Sequence, residues 1–100
     1  MASFNAQIQL INLEVLFRGT VNEAPVYPRE AVKVALSNNA NSVMFAHNHP
    51  GMSLKASLAD IEATKSLKNA MNTVSIRVLD HIIVAGDSFL SFSEQGLLSA

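Results

Sequence analysis

The chain has 100 residues, 49% hydrophobic and 15% charged, with a formal net charge of −1; this describes one domain with one modest core, too apolar for disorder and without a basic field for phosphates. It contains no cysteine, which excludes disulfides, thiolate zinc clusters, iron–sulfur centres and cysteine nucleophiles. No apolar run approaches the roughly 18 residues of a membrane span and no signal peptide is expected, so the expectation is a soluble, cytoplasmic single domain over 1–100 whose metal site, if any, is built from His, Asp, Glu and water.

Residues 7–10 alternate polar and apolar, and Leu13, Val15 and Phe17 fall on one face of 12–18. Both stretches predict strands, joined as an antiparallel hairpin. Asn5-Ala6-Gln7 reads as a turn with almost no strand before it, and 19–25 reads as a loop. Pro28 suits a first helical turn and Glu30 the positive end of the dipole, which predicts a helix over 29–38. Ala31, Val34 and Ala35 form its buried stripe with Leu36 alongside, and Asn38-Asn39 ends it. The apolar stretch 42–47 predicts a central strand, and 48–56 a loop marked by Pro50, Gly51 and Ser53. A second helix is predicted over 57–71, with Leu58, Ile61, Leu67 and Ala70 as core positions. Residues 76–85 predict a strand, Gly86-Asp87 a turn, and 89–92 a last strand, after which Ser93 caps a short turn through Gly96. Helices alternating with strands must cover a sheet, so the expected class is α/β, a mixed sheet flanked by helices.

Two histidines carry the chemistry. His47 and His49 lie two apart at a strand end, where residues i and i+2 share a face, so both imidazoles can aim at one point. Ser57 follows eight residues after His49, and Asp60 three later in the first turn of the second helix. Two imidazoles and a carboxylate form a catalytic zinc set with a fourth position left for water, whereas a structural zinc would be closed by a fourth protein ligand. Such a site also needs a carboxylate to take and return a proton. Glu14 is the best candidate, on a strand that can lie beside the one ending at His47. Glu62 projects to another face of its helix, and nothing fixes the direction of Glu23 or Glu30. Plainer readings stand beside these: Asn48-His49-Pro50 as only a turn with His47 in the core, Ser57-x-x-Asp60 as a helix-start signature, and Glu14 as a solvent-facing strand residue.

Glu14, His47-x-His49, seven residues, Ser57, two residues and Asp60 together resemble the signature of the JAMM (MPN-plus) metalloproteases. The flanking stretches Leu16-Phe17-Arg18-Gly19-Thr20-Val21-Asn22, Pro28-Arg29-Glu30, Ala46-His47-Asn48-His49-Pro50 and Asp80-His81-Ile82-Ile83-Val84 resemble the bacterial RadC proteins, over residues 7–98. The resemblance implies a JAMM/MPN fold related to the cytidine deaminases, with His47, His49 and Asp60 as zinc ligands. It implies Glu14 as the general acid/base and Ser57 as a donor to the oxyanion formed when metal-activated water attacks a peptide or isopeptide carbonyl. The deaminase signature itself is absent, since it needs a pair of cysteines. Gly51-Met52 stands where the RadC pattern usually has Ser-Gly, and Ala56 where it usually has Pro, so the substrate loop departs from the family. The N-terminal helical domain and most of the first strand usual in RadC chains are expected to be missing. That fits the thin surface charge and leaves an exposed sheet edge that invites a homodimer.

A second class of function is a DNA-repair-associated or partner-binding accessory protein, the historical association of the RadC name. A net charge of −1 without a basic stripe argues against autonomous nucleic-acid binding. A third is an inactive MPN-like scaffold, against which the intact ligand set argues. An HNH-nuclease reading of His47-Asn48-His49 fails because those enzymes spread the three residues over a longer ββα unit. His81 is expected to pack or to hydrogen-bond near the metal, Met44 and Phe45 to fill the core, and Arg18 and Lys33 to be surface charge. Ligation needs neutral imidazoles, so metal binding should weaken below about pH 6.5.

Overall fold

In the computed structural model, which describes residues 1–17, 27–49 and 54–98, seven elements follow one another. They are β1 (Ala2–Phe4), β2 (Leu10–Leu13), α1 (Pro28–Ser37), β3 (Ser42–Asn48), α2 (Leu58–Thr73), β4 (Arg77–Ala85) and β5 (Ser88–Ser91). The loop expected over 19–25, the surface position of Arg18 and the 50–53 part of the expected loop lie outside the described residues. The strands form one sheet in the order β2-β1-β3-β4-β5. Only β3 and β4 run parallel, joined through α2 as a crossover must be, and the other pairs are antiparallel. This is the mixed sheet and α/β class expected. No helix among the described residues is long and apolar enough to cross a membrane.

The N-terminal hairpin differs from expectation. It pairs β1 with β2, Ala2 opposite Leu13 and Ser3 opposite Asn12, and 7–10 belongs largely to the turn between them. Alternation at Gln7-Ile8-Gln9-Leu10 fits a strand, but the Asn5 side chain captures the backbone N–H groups of Gln7 and Gln9, each at 3.0 Å. Ile8 takes the left-handed conformation (φ 60°), which a β-branched residue adopts only under constraint. β1 then lies between β2 and β3, so the strand preceding Glu14 is not the neighbour of the strand that carries His47.

The core lies on one face of the sheet. Val43 and Phe45 of β3, Val78 of β4, Ala31 and Ala35 of α1, and Leu67 and Met71 of α2 form a single buried cluster. On α2 the fully buried positions are Thr64, Leu67 and Met71, a three-and-four spacing that defines one helical stripe. Leu58, expected at the core, falls off that stripe and is 72% exposed, and Leu36, expected alongside the buried stripe of α1, is 51% exposed. Asp60, four residues before Thr64, continues the α2 stripe toward the helix N-terminus. His47 continues the Val43–Phe45 row of β3 in the same way. Two core rows therefore end in polar residues at the same end of the sheet.

Candidate metal centre

The sequence of α2 fixes the position of Asp60. Ser57 is the N-cap: its hydroxyl accepts the Asp60 N–H at 3.0 Å, and Asp60 Oδ2 accepts the Ser57 N–H at 2.8 Å. This capping box bears out the helix-start reading and holds the carboxylate rigidly over the first turn. The strand does the same for the histidines. His47 is on β3, and the His49 N–H donates to the Val84 carbonyl at 2.9 Å, extending the β3–β4 ladder by one residue. The two rings thus face one point, their centroids 5.0 Å apart.

Asp60 meets both histidines. His47 Nε2 is 3.3 Å from Asp60 Oδ1, and His49 Nε2 is 3.0 Å from Oδ2. One donor atom from each of His47, His49 and Asp60 can be chosen so that all lie within 4.8 Å of one another. Ligand bonds of about 2.0–2.2 Å in a tetrahedron place neighbouring donor atoms roughly 3.3 Å apart. The donor set and its spacing therefore fit a small divalent ion. All three residues are partly buried, so such an ion would remain open to solvent on one side.

Burial pulls the His47 imidazole below its ordinary value of 6.5; the nearby Asp60 charge opposes this and His49 adds to it. For Asp60 burial is the largest single influence and acts upward. The Ser57 hydrogen bonds, with the charges of His47 and His49, together outweigh it and hold the carboxyl below 3.8. At neutral pH both groups are thus in the protonation states that a ligand set requires, a neutral ring and a carboxylate.

Behind His47 lies a second layer that the sequence reading only partly anticipated. His81 of β4 is 5% exposed, its Nε2 2.8 Å from His47 Nδ1 and its Nδ1 2.5 Å from Thr64 Oγ1. The Thr64 hydroxyl also donates to the Asp60 carbonyl at 2.8 Å. Burial, then the neighbouring His47, lowers the His81 pKa to about 4. The ring stacks on Phe92, with centroids 4.8 Å apart and planes at 26°. Asp80 pins this arrangement: Oδ1 accepts the N–H groups of His81 and Ser93, and Oδ2 accepts the Ser91 hydroxyl. Thr64 went unnoticed in the sequence, although a threonine four residues after a candidate ligand shares its helix face. That spacing was the available signal.

Glu14 stands apart from this cluster. It follows β2 and is exposed, and Asn12 Nδ2 donates to its carboxylate at 3.3 Å. Its N–H donates to the Met1 carbonyl at 3.0 Å, which extends the β1–β2 ladder by one pair. Since Ala2 lies opposite both Leu13 and Met44, Glu14 is at the His47 end of the sheet, two strand spacings or roughly 10 Å across from β3. Ser57 is exposed at the rim of the cluster.

A mixed sheet whose central strand leads into His-x-His, facing an aspartate capped into the next helix, is consistent with a JAB/MPN-like α/β domain. The chain matches the RadC-like JAB domain over residues 1–97, and it belongs to that family. It is 53% identical over 94 residues to a UPF0758 protein of Pseudoalteromonas translucida, covering 94% of this chain and 42% of that protein. It is also 53% identical over 95 residues to a UPF0758 protein of Dechloromonas aromatica (94% and 42%), and over 92 residues to one of Vibrio cholerae (92% and 58%). The chain thus spans 42–58% of the length of these curated relatives.

Proposed function

We propose that this domain is a zinc-dependent metallohydrolase of JAMM type that cleaves a peptide or isopeptide amide bond. The observation that supports this most is the convergence of His47, His49 and Asp60 within 4.8 Å in a partly buried, solvent-reachable position. A bound zinc ion would supply Lewis acidity toward the scissile carbonyl and lower the pKa of water at the site toward about 7. His47 and His49 would hold the ion through neutral ring nitrogens and Asp60 through its carboxylate. In this reading Glu14 would take a proton from the attacking water and return it to the leaving amine, a role that requires its carboxylate, two strand spacings from β3, to come within hydrogen-bond reach of that water. The Ser57 hydroxyl oxygen is occupied by the Asp60 N–H while its proton remains to be directed outward, which suits a donor to a developing oxyanion.

Imidazole and carboxylate donors also accept other divalent ions, so zinc is part of the proposal. Elemental analysis of untagged protein, beside Asp60→Ala, tests it. Near-stoichiometric zinc that falls away in the variant is the expected result. No metal in either, even after zinc is added back, would refute the reading.

An accessory, partner-binding role has one observation in its favour. Leu10, Leu13 and Val15, on and just after edge strand β2, are 57%, 73% and 65% exposed, an apolar edge of the kind that pairs with another chain. A homodimer through this edge is compatible with hydrolysis rather than opposed to it.

A further inference from the structure

Resting on the metal-site reading above, we propose that Thr64 and His81 form a relay that fixes His47 as its Nδ1–H tautomer, keeping the Nε2 lone pair turned toward Asp60 and His49. Both are positioning residues, acting on the ion only through His47.

Counting protons along the three contacts leads to this assignment. Thr64 Oγ1 lies 2.8 Å from the Asp60 carbonyl oxygen. Two oxygens hold that separation only with a proton between them, and a carbonyl has none to give. The single hydroxyl proton is therefore committed to Asp60. Thr64 Oγ1 also lies 2.5 Å from His81 Nδ1, and this contact needs a second proton, which only the ring can supply. His81 is buried between Phe45 and Phe92, where a neutral ring with one proton is the favoured form. With Nδ1 protonated, His81 Nε2 is a bare lone pair. It faces His47 Nδ1 at 2.8 Å, so the proton in that contact belongs to His47. The other nitrogen of His47, Nε2, is then the acceptor.

The consequence appears at Asp60. His47 Nε2 and Asp60 Oδ1 face each other at 3.3 Å as two electron-pair donors with no proton between them. Such a pair is repulsive alone and favourable around a cation, and the separation matches one edge of a tetrahedral ligand set. Without the threonine hydroxyl, His81 is free to carry its proton on Nε2 and donate it to His47. His47 would then hold a proton on the nitrogen needed for ligation. Partners of this kind typically alter metal affinity by about 10–100-fold.

Two readouts on the 100-residue chain test the relay. Long-range ¹H–¹⁵N NMR of the metal-free protein at pH 7.5 reports which ring nitrogens are protonated, and zinc titration against a competing chelator reports affinity. In the wild type, His47 and His81 should both show a protonated Nδ1 and a bare Nε2. Thr64→Val should shift His47 toward the Nε2–H form and weaken zinc binding by about 10–100-fold, and Thr64→Ser should restore both. A wild-type His47 protonated at Nε2 would overturn the relay. So would a folded Thr64→Val protein with unchanged tautomers and unchanged affinity. A wild type that takes up no zinc would instead end the metallohydrolase reading, and the NMR tautomers would still decide the relay.

Discussion

Mild acid should destabilise the metal-free chain well before its carboxylates are protonated, and His81 sets the size of the effect. In the unfolded chain this ring titrates near 6.5, whereas in the fold burial and the neighbouring His47 lower it to about 4. Above pH 6.5 both states carry a neutral ring and nothing is lost. Between 6.5 and 4 the unfolded state binds a proton that the folded state does not, so stability declines as pH falls. At about 1.36 kcal/mol for each pH unit the loss reaches about 3 kcal/mol by pH 4. His47 is shifted in the same direction and adds to the decline. Asp60, held below 3.8, contributes stability that is lost only at lower pH, so the two windows separate. Domains of this size have about 5–15 kcal/mol in all, and at about 1–2 kcal/mol/M the urea midpoint should drop by roughly 1.5–3 M. Urea unfolding followed by circular dichroism in EDTA, at pH values from 7.5 to 4, measures it. The slope of free energy on urea should stay constant, and His81→Gln should flatten most of the pH dependence. A midpoint that holds steady across this range, or an equal decline in His81→Gln, would refute the reasoning.

Glu14→Gln should retain the metal and lower amide hydrolysis by about 10²–10⁴-fold, the usual contribution of a general base; metal-loaded variant with full turnover on a substrate cleaved by the wild type would remove Glu14 from the mechanism. Phe92, fully buried against the His81 ring, should cost about 3–5 kcal/mol as Phe92→Ala, read as a lower urea midpoint at pH 7.5. A loss under 1 kcal/mol would mean that the stack on His81 is not part of the packed interior.

Chemistry was more legible in the sequence than packing at the chain start. Pro28 at the first position of α1 and the Ser57–Asp60 capping box of α2 are local devices, so the residues that make them also announce them. The convergence of His47 and His49 follows from the pleat of one strand, and that of Asp60 from one turn of one helix. The N-terminal hairpin was misread because two periodicities competed. The alternation of 7–10 fits a strand, but the Asn5 side chain captures two backbone N–H groups and its backbone bonds Ile8 and Gln9, which makes the stretch a turn. Leu58 was misplaced because a leucine next to a helix start says nothing about angle, whereas Thr64, Leu67 and Met71 fix the stripe once they are seen together. His81 was expected to pack or to hydrogen-bond beside the candidate ligands, and it stacks on Phe92 and lies 2.8 Å from His47. Its link to Thr64 joins residues 17 apart in sequence through two different elements, and no local pattern carries that.

The position of Asp60 explains how a small domain can hold a polar cluster steady. The residue occupies the last place on the core-facing stripe of α2, so the packing of Leu67 and Met71 against the sheet sets its rotation. The capping box sets its height along the helix axis, and the positive end of the helix dipole favours its charge. His47 gets the same support from the Val43–Phe45 row, and His81 from Phe92 and the Asp80 hydrogen bonds. Each ligand candidate is thus placed by the same contacts that stabilise the fold. Stability and any metal binding at this cluster would consequently be coupled in both directions. A bound ion would add stability to α2 and β3 by mass action, and any change that loosens the α2 stripe should move the carboxylate away from the imidazoles before the domain unfolds.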